Sequence, residues 1–382
     1  MTSSESILKN NKCALAIFIE PTPYILGFIL ELHQQWGGQL DVIFLKNNYS
    51  QNWNINLPTY CEILSDLFST NRRIIYQKIQ KKKYALIHLA GWGEIVCLYV
   101  LLVAKLKKIP IALESDTQLQ KYTPRWQQLI KKILYQRMLY PILFKLPNIL
   151  LPGGTRQVQY FKYYGVSSEK LVIAQMTVDV QYLQQRIAQI TPREREEFRH
   201  DLGIDSNNVI FLYVGRFLEW KGIVNLITAF KTLDSFQAKL WLVGDGELQN
   251  YVQQTVNKST NMHYFGRETS ERLVNIYYAA DVFVLPSTAE PWGLVVNEAM
   301  ATENALIVSD NAGCVDDLVL HEKTGLLVPS KNVRELASAM QRLLDNPVER
   351  LEFARNGKEH IASWTLANEA NNVIRAWQRI IA

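Results

Sequence analysis

The chain alternates short apolar runs with longer stretches of helical periodicity, and this pattern occurs twice. In the first half, apolar runs of strand length stand at 13–19, 40–46, 84–89, 110–115 and 148–153, with helical stretches at 25–36 and 94–106. Strands that alternate with helices pair in parallel, because each helix crosses back over the sheet before the next strand. The first half is therefore predicted to form a doubly wound parallel sheet.

The alternation stops in a charged stretch at 187–206 and restarts at Val209. Strand-like runs follow at 209–214, 238–243, 262–265, 282–285, 305–308 and 325–329, with helical stretches at 222–233, 247–256, 270–280, 292–302 and over most of 332–382. A chain of 382 residues is long enough for two separate cores. We predict an α/β protein of two Rossmann-like domains, residues 1–190 and 191–363, facing across a cleft.

Composition narrows the class of protein further. The first twelve residues lack the basic and apolar segments of a secretory signal, and no apolar run approaches the ~20 residues that span a bilayer. The four cysteines are far apart and form no CxxC pair, which favours buried thiols in a reducing compartment. A cytoplasmic protein is expected.

The net charge of +5 conceals an asymmetry between the halves. Residues 1–190 contain 22 Lys and Arg against 11 Asp and Glu, whereas the remainder contains 19 against 25. A basic half indicates an anionic partner, which could be an acidic membrane surface, a lipid diphosphate or nucleic acid. The chain has no recognisable helix-turn-helix, zinc or aromatic stacking motif, so nucleic acid is not expected.

The segment Ser287–Met300 places two glutamates around a junction of strand, loop and helix. Glu290 lies in the loop, and Glu298 lies in the helix that follows. A helix N-terminus offers unpaired N–H groups and the positive end of a dipole, which suits a phosphate. One carboxylate would lie beside the anion and the other about a turn and a half away, a layout for a nucleotide sugar. The alternative is a capped helix with two solvated glutamates.

This segment resembles the signature of glycosyltransferase family 4, which comprises retaining enzymes of the GT-B fold. The family pattern Glu-Pro-Phe-Gly-Leu-Val-x-x-Glu-Ala-Met-Ala is matched from Glu290 to Ala301, except that Trp292 replaces phenylalanine. The resemblance covers nearly all of the second half and is weaker in the first, where it rests on strand order and on residues 151–183. It implies an acceptor-binding first domain, a donor-binding second domain, and a C-terminal helix over 364–382 that packs back on the first.

Other strand ends of the second half complete the predicted donor site. Arg216 and Lys221 follow the strand at 209–214, where a guanidinium can hold a diphosphate through two N–H bonds and an ammonium adds a point charge. In the family the matching Arg and Lys neutralise the leaving diphosphate, so both are predicted to be catalytic. The remaining predicted donor contacts are Gly215, Gly244, Arg267, Pro291, Trp292, Gly293, Leu294, Val295 and Glu298.

The resemblance also implies roles for the acidic residues. Glu290 would contact hydroxyls of the donor sugar and Glu298 those of the ribose, while the leaving phosphate helps to deprotonate the acceptor. Many members carry a histidine after the fourth strand of the first domain. This chain has Glu114-Ser115-Asp116 there, so that role is either absent or filled by Asp116. His88 ends another strand and is either a structural residue or a residue of the cleft.

No metal or cofactor is expected. The six histidines show no HxxxH or HExxH spacing, and the chain contains no Asp-x-Asp pair. The sequence Gly244-Asp245-Gly246 lacks the third glycine of a dinucleotide fingerprint, which argues against an NAD-linked oxidoreductase. Arg216, Lys221 and the helix N-terminus at 293–295 would instead stabilise the departing phosphate.

Two basic clusters in the first half indicate where an anionic surface could bind. One accompanies an amphipathic stretch at 126–139, which is either a membrane-interface helix or a core helix with a solvated basic side. The other runs from Arg72 to Lys83. We expect peripheral contact with the inner face of the cell membrane and a lipid-linked or saccharide acceptor, with a UDP-sugar favoured as donor and GDP-mannose next. The alternative is a catalytically silent nucleotide-sugar binding protein, which would be expected to lose Glu290 or Arg216.

Overall fold

The computed structural model describes residues 12–47, 56–65, 67–119, 136–268 and 270–382. Its strands are β1 Cys13–Phe18, β2 Gln39–Phe44, β3 Cys61–Ile63, β4 Leu86–Ala90, β5 Ile111–Ser115, β6 Ile149–Pro152, β7 Val209–Val214, β8 Ala238–Val243, β9 Met262–Gly266, β10 Val282–Leu285, β11 Ala305–Ser309 and β12 Gly325–Val328. Its helices are α1 Pro23–Trp36, α2 Phe68–Lys81, α3 Ile95–Leu106, α4 Thr155–Tyr163, α5 Val180–Gln189, α6 Pro192–Asp201, α7 Ile223–Phe230, α8 Gln249–Val256, α9 Ser270–Ala279, α10 Leu294–Ala301, α11 Val315–Leu318, α12 Val333–Asp345, α13 Pro347–Ile361 and α14 Leu366–Ile381.

The strands form two parallel six-stranded sheets of the same topology. The orders are β3-β2-β1-β4-β5-β6 and β12-β11-β10-β7-β8-β9. In each sheet the first and fourth strands are neighbours, and the strand order reverses between them. Ligands of open parallel sheets bind beyond the carboxyl ends of the strands at this reversal. The predicted doubly wound α/β architecture is confirmed, and the reversal in the second sheet lies between β7 and β10.

The chain divides into two compact units. The first contains the described residues up to Leu119, residues 136–176 and Leu366–Ala382, and the second contains Thr177–Thr365. The predicted boundary at residue 190 therefore falls inside the second unit. The reason is that α5 packs against α10 and α9 rather than against the first sheet.

Each unit has its own apolar core. In the first, one face of the sheet is covered by α1 and α14, where Trp377 meets Trp36 edge to face at 5.2 Å between ring centroids. In the second, β7 and β8 pack against α7 and α12. The C-terminal helix α14 thus belongs to the core of the first unit although it is last in sequence.

Three elements of the first unit, namely β3, α2 and α4, were not predicted, and one prediction is only partly covered. The short edge strand β3 and the helix α2 lie between runs that the apolar pattern identified, and α2 contains most of the cluster from Arg72 to Lys83. Of the amphipathic stretch at 126–139, only 136–139 lies within the described residues, at the start of a helical segment over 136–143. Across the described ranges, no helix is both long and apolar enough to cross a membrane.

Candidate active site

Four strands of the second sheet deliver the predicted donor residues to one edge. Arg216 follows β7, Gly244 follows β8, Arg267 follows β9, and Glu290 follows β10. The carboxyl ends of parallel strands meet at the same edge of a sheet, and β10, β7, β8 and β9 are consecutive neighbours. Residues that are up to 74 positions apart in sequence are therefore gathered around the strand-order reversal.

An ion pair between Lys221 and Glu290 lies at the centre of this edge. The Lys221 ammonium donates to Glu290 Oε2 at 2.5 Å, and the Ser287 hydroxyl donates to the same oxygen at 3.2 Å. The two charged side chains are 17% and 8% exposed, so the pair is largely shielded from water. The Lys221 ammonium also lies 4.6 Å from the centroid of the Trp220 ring. Ser287 and Trp220 were not predicted as residues of the site.

The neighbouring loop fixes the backbone that carries Glu290. The Gly313 N–H donates to the carbonyl oxygen of Glu290 at 2.9 Å, and the Cys314 N–H donates to that of Trp292 at 3.1 Å. The Ser309 hydroxyl, at the end of β11, donates to the carbonyl oxygen of Ser287. The segment is therefore held by the end of β11 and the loop that follows it, which fixes the backbone of Glu290 before any ligand binds.

Trp292 does not present its side chain at the site. Its ring is buried and packs on Trp364 at 5.7 Å between centroids, and its Nε1–H donates to Asn297 Oδ1 at 3.0 Å. Asn297 Nδ2 in turn donates to the Thr177 hydroxyl at 3.2 Å. The prediction that Trp292 contacts the donor is therefore limited to its backbone. The aromatic ring of the signature is a core residue, because the loop turns it inward ahead of α10.

Glu298 on α10 is half-buried, and its carboxylate accepts one hydrogen bond from the described side chains. The Tyr277 hydroxyl of α9 donates to Glu298 Oε2 at 2.7 Å. Desolvation by the surrounding protein raises the pKa of Glu298 to about 7, although the bond from Tyr277 acts in the opposite direction. A carboxyl group with this pKa changes its charge near neutral pH, so its ability to accept from a hydroxyl is set by small changes in pH.

The cations of the site differ in how they are held. Arg216 is exposed, and no hydrogen bond or ion pair to its guanidinium occurs among the described residues, in contrast to the paired Lys221. Arg267, beyond the edge strand β9, is also exposed. The guanidinium of Arg216 is therefore available for the planar two-bond contact that a phosphate accepts.

Two glycines permit the close approach of the loops at this edge. Gly244 has φ +132°, and a Cβ there would lie 2.0 Å from the carbonyl oxygen of Gly215. Gly222 has φ +74°, and its Cβ would lie 2.2 Å from the carbonyl oxygen of Pro286. Contacts this short exclude any side chain, so both positions require glycine for space as well as for backbone conformation.

The N-terminus of α10 completes the edge. Gly293 precedes the helix in the left-handed region at φ +104° and provides no side-chain cap. Leu294 and Val295 are the first two helical residues and are half-buried. N–H groups at this position have no carbonyl partner within the helix, so an anion can satisfy them.

Asp116 and His88 both belong to the first unit. Asp116 follows β5, is half-buried, and accepts a hydrogen bond at its backbone oxygen from Gln157 Nε2 at 3.3 Å. His88 on β4 has no exposed surface. Of the two alternatives for His88, the structure supports the structural residue.

A cavity in the second unit does not coincide with these residues. It has a volume of about 490 Å³ and lies between the C-terminal ends of α7 and α8 and the start of β9, at the edge opposite to Glu290. Its lining contains none of the predicted donor residues. The charged groups at the strand-order reversal, rather than the volume of this cavity, identify the candidate site. In the described part of the chain, no group of three His, Cys, Asp or Glu side chains is placed to hold a metal.

The fold and this edge define a class of protein: two parallel sheets of 3-2-1-4-5-6 order, the second with paired charges at its reversal, are the architecture of GT-B proteins. A solved structure of Anabaena HepE in complex with UDP superimposes with a TM-score of 0.73, covering 96% of this chain and 100% of that one at 16% identity. Likeness at this identity establishes the shared fold.

The second unit resembles a known family in sequence. Residues 194–360, somewhat less than half of the chain, match the family model of the glycosyl transferases group 1. An uncharacterized glycosyltransferase of Methanocaldococcus jannaschii is 32% identical over 190 residues, which are 48% of this chain and 48% of that protein. A Campylobacter jejuni N,N'-diacetylbacillosaminyl-diphospho-undecaprenol α-1,3-N-acetylgalactosaminyltransferase is 24% identical over 64% of this chain and 63% of its own length. The chain thus spans about half to just under two thirds of the length of these relatives.

Proposed function

We propose that the protein is a retaining glycosyltransferase that moves a hexosyl group from a nucleotide sugar to a lipid-linked or saccharide acceptor. The observation that carries this proposal is the Lys221–Glu290 pair beside the α10 N-terminus, at the strand-order reversal of the second sheet. A UDP-sugar is the favoured donor, supported by the UDP complex of the HepE structure. GDP-mannose is the next candidate.

The residues at this edge have two roles in the transfer: some stabilise charge on the leaving group, and others orient the donor. Arg216, Lys221 and the N–H groups at the start of α10 stabilise the charge that develops on the leaving diphosphate. Glu290 accepts from hydroxyls of the donor sugar, and Glu298 accepts from those of the ribose, which fixes the reacting carbon relative to the acceptor. The leaving phosphate removes the acceptor proton. These groups supply the charge stabilisation without a bound metal ion.

Release of nucleotide from a panel of donors tests this proposal. The full chain is incubated with UDP-, GDP- and ADP-sugars, with and without EDTA, and with membrane lipid extract as the source of acceptor. Release from one donor class, unchanged by EDTA and lowered at least about 100-fold in Glu290→Gln, is expected because the variant loses a charge-assisted contact and the partner of Lys221. Glu303→Gln is the matched control, since Glu303 is exposed and pairs with Lys358 elsewhere in the second unit. If EDTA abolished nucleotide release by the natural protein, the proposal that transfer needs no metal ion would be refuted.

A silent nucleotide-sugar binding protein is the second candidate. The same panel of donors distinguishes this candidate from the enzyme. A nucleotide sugar would raise the melting temperature of a silent binding protein, but no nucleotide would be released. Retention of Arg216 and Glu290 in one edge favours the enzyme.

We further propose that the first unit contacts an anionic membrane surface, with the protein on the cytoplasmic side, in the synthesis of a surface polysaccharide or glycolipid. Apolar side chains of α3 are exposed, namely Ile95 (60%), Leu102 (56%) and Leu106 (84%). Lys105 lies in the last turn of the helix and Lys107 caps its C-terminus. Apolar side chains flanked by lysines suit the interface of an acidic bilayer. The undecaprenyl acceptor in the name of the Campylobacter relative is consistent with a substrate held there.

Vesicle flotation tests the membrane contact. The protein should float with vesicles containing anionic lipid and remain in solution with neutral vesicles, and the bound fraction should fall as salt rises. Leu102→Ser and Leu106→Ser together should reduce flotation, whereas Leu351→Ser, exposed on α13 of the second unit, should not. Equal flotation of the α3 variant and the Leu351→Ser variant would show that α3 does not contact the membrane.

A further inference from the structure

Glu114 is held in the first unit by a chain of hydrogen bonds that begins in the C-terminal helix. The indole N–H of Trp377 on α14 donates to His88 Nδ1 at 3.3 Å, and His88 Nε2 lies 3.0 Å from Glu114 Oε2. Trp377 and His88 have no exposed surface, whereas the Glu114 side chain is 19% exposed. The chain therefore runs from the core to the edge of the first sheet.

The partners of His88 fix its protonation. An indole can only donate, so Nδ1 must offer a lone pair and the ring hydrogen must lie on Nε2. The neutral ring then donates from Nε2 to Glu114. One oxygen of this carboxylate is thus occupied by a buried donor, and no contact to the other oxygen occurs among the described residues.

The position of Glu114 is that of a ligand contact. It lies one residue before the carboxyl end of β5, and β5 pairs with β4 next to the strand-order reversal of the first sheet. His88 is the only group within ion-pair distance of Glu114 in the described part of the chain, and a neutral histidine does not compensate its charge. A partly exposed carboxylate with one open oxygen and no cation accepts from a donor that the ligand brings.

The surrounding charge limits what that ligand can be. Burial and then the nearby carboxylates of Asp116, Glu20 and Glu114 raise the pKa of Tyr24 to about 12. Glu114 itself has no lysine or arginine within ion-pair distance among the described residues, so a phosphate or carboxylate brought to its open oxygen would be repelled. A hydroxyl of an uncharged sugar would donate to the open oxygen without repulsion.

We propose that Glu114 is a specificity-determining residue that accepts a hydrogen bond from a hydroxyl of an uncharged saccharide acceptor, and that His88 and Trp377 are its positioning residues. This inference rests on the proposed function, in which the first unit binds the acceptor. If the acceptor is linked to a lipid, its diphosphate lies away from this edge, and Glu114 contacts the sugar part of the acceptor.

Binding of simple glycosides to the full chain tests the proposal without a donor. Ligand-observed NMR would compare 4-nitrophenyl glucoside with 4-nitrophenyl glucuronide, which differ by a carboxylate. The glucoside should bind at least about tenfold more tightly, and Glu114→Gln should raise its Kd about tenfold, since a charge-assisted bond becomes a neutral one. Glu62→Gln, which removes a surface carboxylate paired with Lys78 in the same unit, should leave the Kd unchanged.

Two variants of His88 separate positioning from packing. His88→Gln can retain an N–H toward Glu114, whereas His88→Met fills the space without one. The Kd for the glucoside should rise about tenfold in His88→Met and less than threefold in His88→Gln. A structural role alone would lower the melting temperature in both variants and leave both Kd values alike.

Three outcomes would overturn the inference: equal binding of glucoside and glucuronide, no binding of either, or a Kd that changes less than twofold in Glu114→Gln. Stabilisation of the protein by UDP, GDP and ADP is measured in parallel. A protein that responds to one of these nucleotides but shows one of these outcomes retains its donor site and loses only the proposal for Glu114. A protein that discriminates the glycosides but responds to none of the three nucleotides refutes the proposed function instead.

Discussion

Glu298 combines a role in binding with a cost in stability. Its pKa is raised from an ordinary value near 4.5 to about 7, chiefly by desolvation. The folded protein therefore binds a proton more tightly than the unfolded chain, and the free energy of unfolding falls as pH rises from about 4.5 to about 7. Above about pH 7 the loss of unfolding free energy that Glu298 causes no longer changes with pH.

Replacing Glu298 should expose this trade-off. Glu298→Gln keeps an acceptor for the Tyr277 hydroxyl and removes the charge, so the variant should be more stable than the natural protein by about 1–3 kcal/mol at pH 8. The difference should shrink toward pH 5.5. Urea unfolding at the two pH values measures it, with Glu303→Gln as an exposed control. A variant that is less stable than the natural protein at pH 8 would contradict the account.

The same carboxylate makes donor affinity dependent on pH. Protonation removes an acceptor for ribose hydroxyls, so the Kd for UDP should rise as pH falls through about 7. Tyr277→Phe removes a bond that favours the charged form, and the transition should then move to higher pH. Calorimetric titration of UDP between pH 6 and 9 measures both curves. If the transition occurred at the same pH in both proteins, the hydrogen bond from Tyr277 would not influence the pKa of Glu298.

Trp292 should matter for stability rather than for binding. Trp292→Phe removes the N–H that satisfies the buried Asn297 oxygen, and the free energy of unfolding should fall by about 1–3 kcal/mol with an unchanged Kd for UDP. Trp241→Phe is the matched control, because its buried N–H has no partner in the described part of the chain. Denaturant unfolding and UDP titration report the two effects. Equal destabilisation by both variants would show that ring volume, not the hydrogen bond, is responsible.

At the scale of elements, the loop after β8 depends on a glycine. A Cβ at Gly244 would lie 2.0 Å from the carbonyl oxygen of Gly215, so Gly244→Ala must displace the loop after β7 that carries Arg216. The variant should lose stability by more than the roughly 1–3 kcal/mol of backbone strain alone and should bind UDP more weakly. Gly203→Ala is the control, with φ +69° and no atom within 4 Å of the added carbon. Similar effects of both substitutions would contradict the importance of close packing.

The elements themselves follow closely from sequence, and the exceptions have physical causes. The apolar runs at 209–214 and 282–285 predicted β7 and β10 because both faces of these strands are buried. The strand β3 escaped prediction because it has three residues at the edge of a sheet and none is fully buried. Spacing identified Glu290 and Glu298, but not Ser287 or Tyr277, because a hydroxyl that orients a carboxylate has no pattern of its own.

At the scale of the whole molecule, the last helix stabilises the first unit. Val373 of α14 is buried in the core that contains Trp36 and Phe28 of α1. Val373→Ala should lower the free energy of unfolding by about 1–3 kcal/mol and increase proteolysis within residues 12–176. Arg375→Ala, exposed on the same helix, should change neither. Cleavage confined to 177–365 would contradict the assignment of α14 to the first unit.

The organisation into two units was only partly visible in the sequence. Two parallel sheets followed from the repeated alternation of strands and helices, but the boundary was placed in the most charged stretch, at residue 190. The helix α5 is amphipathic and precedes that stretch, yet it packs on the second unit. Polarity marks where a chain is solvated, whereas a domain boundary depends on which core buries each apolar face.

Calorimetric titration of UDP into four proteins tests the central claim most directly, namely that the carboxyl edge of the second sheet binds a nucleoside diphosphate. Arg216→Met and Lys221→Met should each raise the Kd at least about tenfold, because each removes a cation that contacts the diphosphate. Lys231→Met, at the opposite edge of the same sheet, should leave the Kd of the natural protein unchanged. If the Kd rose in Lys231→Met but not in Arg216→Met or Lys221→Met, the nucleotide would bind at the amino edge of the second sheet rather than at its carboxyl edge. That result would contradict the account.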